Sequence, residues 1–210
     1  MGARSTSGNH DNVLKADGHL LEFLRSSFGF GGGATNFTGI TAPGIEASGG
    51  IINDYLSGGK TYRAHIFTSS GTFSVSDLGS LGDTVEYLVV AGGAGGGGGI
   101  GGGGGAGGLR TNLSGHPLAG SAFPVSTSPG SYTITVGGGG AGAYPSQGAN
   151  GSNSSLGPTI VSTGGGYGAG TYGQTGNTGG SGGGGTGPSP GGSGPGSAGN
   201  TPPVSPPQGN

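Results

Sequence analysis

The sequence predicts a mainly β protein: a small β-sandwich-like domain interrupted by long glycine runs, with a short N-terminal helix and extended arm before it and a disordered Pro/Gly-rich tail after it. Three observations lead there. Glycine makes up 61 of 210 residues and apolar side chains 29%, well short of what an ordinary domain needs for a side-chain core throughout. Short β-rich runs recur between turn signals. The composition also breaks near Ala91: residues 1–90 hold 13 of the 14 charged residues and 16 of the glycines, whereas residues 91–210 hold 45 glycines and a single charge, Arg110.

Taken in order, residues 1–58 form an N-terminal arm with a helix over 18–28. Asp17 stands where an N-cap belongs and Gly29 where a left-handed C-cap belongs. Leu20, Leu21, Leu24 and Phe28 fall on one side at helical spacing. So short a helix is marginal alone in water and needs a partner surface, either the rest of this chain or another protein. The stretch 29–59 reads as an extended connector of Gly, Thr and Ala.

Residues 59–187 make the scaffold domain, and they open with a hairpin. Tyr62–Thr68 and Thr72–Val75 are β-rich runs separated by Ser69-Ser70-Gly71. Val85–Ala91 reads as a third strand, its continuous apolar end implying burial on both faces. Tyr132–Val136 and Thr159–Val161 supply a fourth and a fifth. The glycine runs thus leave and return between strands of one domain. Residues 188–210, rich in Pro, Gly and Ser, read as a flexible tail.

Three readings compete for the runs at Gly92–Gly108, Gly137–Ala143, Gly164–Gly173 and Gly179–Gly187. Flexible linker is the default for such composition. Collagen requires a strict Gly-X-Y period with proline, and no proline lies between Ala91 and Arg110, which excludes it. Polyglycine II is the third reading: a left-handed helix of three residues per turn without internal hydrogen bonds, so that each helix must pair with its neighbours. Packing must then offset roughly 1–2 kcal/mol of backbone entropy per ordered residue. On the residues alone, linker and packed helix both stand.

Chemistry is poorly supplied. The formal net charge of −2 gives no reason to expect nucleic acid as a partner. The absence of Cys rules out disulfides and thiolate catalysis. No stretch approaches the roughly 18 apolar residues of a membrane helix, and the first 30 residues lack the pattern of a signal peptide, so a chain soluble on synthesis and without membrane insertion is expected. Gly59-Lys60-Thr61 resembles the end of a phosphate-binding loop, but Asp54 stands where that motif needs glycine. His10, His19, His65 and His116 lack metal-ligand spacing, and no Ser–His–acid set is marked. The expectation is a non-enzyme with no metal and no cofactor.

Tyr62–Val75, then Val85–Gly93 running into poly-glycine, then Tyr132–Gly137 and Gly151–Leu156, are similar in order and spacing to the glycine-rich domain of marine phage fibre proteins, over roughly residues 60–187. More distantly the chain resembles phage-tail adhesins. The resemblance implies packed polyglycine-II helices with receptor-contacting loops at the edge. It further implies a homo-oligomer located in the virion and facing a host-surface protein or glycan. Attachment to other virion proteins through the N-terminal arm is a separate expectation, resting on the helix that needs a partner surface. Residues 1–58 carry none of the resemblance.

Binding candidates are the inserts that carry side chains, because glycine has none with which to recognise a partner. Thr111–Pro124 contains Asn112, His116 and Phe123, and Tyr144–Gln147 contributes Tyr144 and Gln147. Residues 167–174 contribute Tyr167, Tyr172 and Gln174. Tyrosine couples a flat apolar face to a hydroxyl, which suits carbohydrate or protein surfaces. Ordinary polar loops remain the competing reading for each, and a capsid decoration or self-assembling filament subunit without a receptor is the competing function. A cell-wall or matrix glycine-rich protein is a third class, weakened by the lack of a signal peptide.

Overall fold

The computed structural model describes residues 44–188, 190 and 192–209. The helix expected over 18–28, with Leu20, Leu21, Leu24 and Phe28, lies outside these described residues. Among the described residues there are eleven short strands. They are β1 (Glu46–Ser48), β2 (Ile51–Ser57), β3 (Lys60–Ile66), β4 (Gly71–Asp77), β5 (Thr84–Val85) and β6 (Leu88–Val90). β7 (Leu109–Thr111), β8 (Phe123–Pro124), β9 (Ser131–Thr135), β10 (Ser154–Leu156) and β11 (Ile160–Ser162) follow. The described region is therefore mainly β, and none of it is helical.

An antiparallel five-stranded sheet runs β1-β4-β9-β10-β11, and three two-stranded pairs, β2-β3, β5-β8 and β6-β7, complete the set. The sheets are small and do not close into a sandwich. Phe73, Val75, Tyr87, Phe123, Val125, Leu156 and Ile160 form one buried cluster, edged by Ala47, Phe67, Val85, Val89, Tyr132 and Ile134. Aromatic rings meet edge to face inside it, Tyr87 on Phe123 at 6.4 Å and Phe123 on Tyr132 at 5.6 Å.

The strand pairing departs from the sequence reading. β3 and β4 both form but do not make a hairpin. β4 instead lies between β1 (Ala47↔Val75) and β9 (Phe73↔Tyr132). β3 pairs with β2 along its whole length, from Ile51↔Ile66 to Ser57↔Lys60. Gly58 and Gly59 close that hairpin with φ of 56° and 75°, the left-handed pair a two-residue turn requires. The stretch read as a connector therefore holds two strands. The apolar run at Val85–Ala91 breaks into β5 and β6 around Tyr87, and it is not buried on both faces: Leu88 and Val90 are exposed. Only alternate side chains there reach the core.

Between strands the glycine runs follow a different rule. Gly92, Gly95 and Gly98 donate their N–H groups to the carbonyls of Ser152, Ala149 and Ser146 at 2.9–3.1 Å. Gly102, Gly105 and Gly108 donate to Ala169, Gly166 and Thr163 at 2.8–2.9 Å. Gly165 and Gly168 donate back to Gly92 and Gly95, both at 3.0 Å. Each series advances by three residues, where a β-ladder would advance by two. Successive residues also face different neighbours. A Cβ on Gly164 would meet the carbonyl of Gly151, one on Gly165 that of Gly105, and one on Gly166 that of Asn177. One on Gly168 returns to the Gly165 side and would meet Gly102. The run 164–170 is the interior of this body, with Ala169 wholly buried.

The tail is not free. Thr201, Asn200 and Ser197 donate backbone N–H groups to Gly179, Gly180 and Gly183. Gln208 is 2% exposed. Its Oε1 accepts from Thr163 N at 2.8 Å and its backbone carbonyl accepts from Leu109 N at 2.8 Å. Nε2 donates to Thr163 Oγ1 at 3.1 Å and to the Pro202 carbonyl at 3.3 Å. The disorder expected for 188–210 is thus corrected for the described tail residues. Composition alone suggested disorder because the segment has little to bury, but it docks by pairing backbone with backbone.

Alanine at Gly165 or Gly168 forces two backbones apart and is expected to cost at least about 3 kcal/mol. Gly103 and Gly138 have open space where a Cβ would go, so alanine there is expected to change stability by no more than about 1 kcal/mol, in the stabilising direction. Urea unfolding of the four single variants checks this, and equal effects at all four positions would mean that the runs are not packed.

Candidate functional site

The run out of β6 turns at residues 98–101 and returns to β7. The run out of β9 turns at 144–147 and returns to β10. The run out of β11 turns at 171–174, and a further turn follows Gly187. Cross-links gather these tips at one end. Gly98 N donates to Ser146 O at 3.1 Å, Gly187 N to Ile100 O at 3.1 Å and Thr186 N to Gln174 O at 3.2 Å. Gly170 lies against the Ser146–Gln147 backbone. The strands hold the opposite end, where Gly108, Thr163, Gly180 and Gln208 meet.

The structure divides the sequence-predicted residues into two groups. Tyr144, 83% exposed, and Tyr172, 64% exposed, stand at the tips beside Ile100. Gln147 is exposed on the Tyr144 tip. Gln174 Oε1 accepts from Gly170 N and Thr171 N at 3.2 and 3.3 Å, which holds the turn carrying Tyr172. Tyr167 is half-buried in the body, and its N–H donates to Asn150 Oδ1 at 2.9 Å.

The other group lies near the strands. Asn112 is engaged internally: its Oδ1 accepts from Tyr87 N at 2.8 Å and its Nδ2 donates to Val85 O at 3.0 Å. His116 Nδ1 accepts from Leu118 N at 3.1 Å within its own turn. Phe123 is 7% exposed in the core, so its ring faces Tyr87 and Tyr132 instead of solvent. Ile100 was missed by the sequence reading. The signal available was its position as the one large side chain in a run otherwise of Gly and Ala.

A second exposed feature is the β2–β3 arm. Ile51, Tyr55, Tyr62 and Ile66 share one face of it and all are exposed. Tyr55 and Tyr62 stack at 5.4 Å. On the other face Arg63 grips Asp54 with two bonds of 2.8 Å, and that guanidinium holds the Asp54 carboxyl below its usual range. Both groups are solvent-exposed, so the pair is screened and contributes little to stability. At the base of the arm, His65 packs edge-on against Phe73 at 5.1 Å, with its Nδ1 2.8 Å from Gly49 O.

Among the described residues no cluster of His, Cys, Asp or Glu is arranged to hold a metal ion, and no helix is long and apolar enough to cross a membrane. The tip surface carries two exposed phenol rings, an isoleucine and amide side chains around Gly backbone, without a charged residue. Such a surface recognises a partner by stacking and neutral hydrogen bonds.

Replacing Tyr144 and Tyr172 together by alanine is expected to change folding stability by less than about 0.5 kcal/mol, whereas Phe123→Ala is expected to cost about 3–5 kcal/mol. Urea denaturation of both variants separates surface from core. A large loss from the tyrosine pair would make the tips part of the fold.

Comparison with known proteins bears on the body that carries these tips. No curated protein and no solved structure matches the chain. Residues 68–210 match a family model described as a glycine-rich domain, which spans the core strands from β4 onward, every glycine run and the tail. With more than half of its length matched, this chain belongs to the glycine-rich domain family.

Proposed function

We propose that this protein is a structural component of a phage virion, a tail fibre or adhesin that presents host-binding loops on a polyglycine-II scaffold. The observation that carries the reading is the gathering of the tips. In the glycine-rich half, three of the four exposed large apolar residues, Ile100, Tyr144 and Tyr172, stand at one end, and Leu113 is the exception. The body behind them is almost without side chains. Hydrogen bonds recurring every third residue, and Cβ directions that turn through three neighbours in Gly164, Gly165 and Gly166, support threefold helices for the runs. The similarity of residues 60–187 to the glycine-rich domain of marine phage fibres supports the virion. In this reading the N-terminal arm attaches the chain to other virion proteins, and the partner at the tips is a host-surface protein or glycan.

The test is binding of the purified full chain to a panel of marine bacterial cells. A Tyr144→Ala/Tyr172→Ala double variant is expected to lose at least about tenfold in cell-bound protein on the strain that binds, while Gly138→Ala keeps it. Equal binding by the double variant, or binding to no strain, would count against the tips as the host-contacting surface.

A self-assembling or decorating subunit is the second reading, and the β2–β3 arm favours it. A lone two-stranded hairpin is marginal in water, and this one leaves Ile51, Tyr55, Tyr62 and Ile66 uncovered on one face. In that case Tyr62→Glu abolishes oligomers in sedimentation and leaves cell binding by the monomer intact. Oligomers unchanged by the substitution would exclude the arm as their contact.

A further inference from the structure

We propose that the groove beside Arg110, at the strand end and away from the tips, binds an acidic sugar through its carboxylate. The groove has a volume of about 430 Å³, with Tyr87, Arg110, Phe123, Tyr132, Thr159 and Ser205 among its lining residues. That is the scale of a small-molecule site. The aromatic cluster lines it, with Phe123 meeting Tyr87 and Tyr132 edge to face; Tyr87 and Phe123 are almost wholly buried, and half-buried Tyr132 offers the accessible ring. Ser121, Thr159 and Ser205, each with a hydroxyl, are also among its lining residues.

Arg110 gives the groove its selectivity. It is the sole charged residue in 91–210. Its backbone is fixed in β7 opposite Val89. Among the described residues its guanidinium makes no ion pair and no hydrogen bond, and the one ion pair there joins Arg63 to Asp54. A guanidinium offers a planar fork of donors that matches a carboxylate in two parallel bonds. A uronate ring supplies the complement: a carboxylate for Arg110, an apolar C–H face for the Tyr132 ring and hydroxyls for the Ser and Thr rim. A neutral sugar lacks the first of these and inorganic phosphate lacks the second.

The experiment follows backbone amide resonances of the full chain during titration with trigalacturonate. Shifts confined to residues around Arg110, Ser121, Thr159 and Ser205, saturating with added ligand, are expected. The fully methyl-esterified trimer, which is neutral, is expected to bind roughly tenfold more weakly or worse, as is trigalacturonate to Arg110→Gln. The Tyr144→Ala/Tyr172→Ala variant is expected to bind like the unaltered chain, which separates this groove from the tips. Three outcomes would overturn the proposal: no saturable shift, equal binding of the ester, or an equal response to inorganic phosphate at the same concentration. The ester and phosphate comparisons use the unaltered chain, so they decide even if Arg110→Gln does not fold.

Discussion

Two peptide backbones can hydrogen-bond side by side on several flanks only when nothing projects from the Cα atoms between them, and the body of this protein rests on that requirement. Gly165 shows the coupling in one residue. Its N–H donates to Gly92, and the place a Cβ would take is filled by the carbonyl of Gly105. Bonding and close approach therefore depend on each other. The glycine content is a packing specification in which the main chain does what side chains do in an ordinary core. Buried N–H and C=O groups must find partners in any fold, and here their partners are neighbouring runs at almost every step.

Such runs have little to fix their register, because one glycine resembles the next. The strand end provides it. Each of the first two runs leaves and re-enters through paired strands, β6 with β7 and β9 with β10. The apolar cluster of Phe73, Val75, Tyr87, Phe123, Val125, Leu156 and Ile160 holds those strands together. Side-chain amides and hydroxyls then pin particular glycines. Asn153 Oδ1 accepts from Gly164 N at 2.9 Å, and Ser154 Oγ accepts from Gly137 N at 2.9 Å. Gln208 closes the same end from the far terminus of the described chain. A small conventional core thus sets the alignment of a much larger unconventional one.

Legibility in the sequence followed how each segment earns its burial. β9 was readable because apolar and polar residues alternate in Ser131–Thr135, and β11 because two β-branched residues, Ile160 and Val161, stand together among polar and turn residues. β2 was not, since its seven residues are all exposed and no inward face marks them, although Gly58-Gly59 was a hairpin signal in plain view. The pairing of β4 with β1 and β9 was hidden because Phe73 and Val75 announce a buried face without naming the strand that lies alongside. The docked tail was hidden for a different reason: backbone pairing leaves almost no trace in composition. At the candidate surface, Tyr144 and Tyr172 were legible as bulk within glycine. Phe123 and Asn112 were equally conspicuous, yet an apolar ring or an amide in a polar loop is also what a core or a strand end recruits.

A body assembled from main-chain amides has an unusual response to temperature. Exposing apolar surface on unfolding raises heat capacity, whereas exposing peptide groups lowers it, by about 0.45 and 0.26 cal/mol/K per Å² respectively. In most domains the first effect dominates and bends the stability curve into a steep dome. Here apolar burial is confined largely to the strand-end cluster, while the interior around Gly164–Gly170 is almost entirely peptide. The two effects come much closer to cancelling, so the dome straightens towards a line. The glycine body therefore loses stability steadily on warming but has little tendency to come apart in the cold.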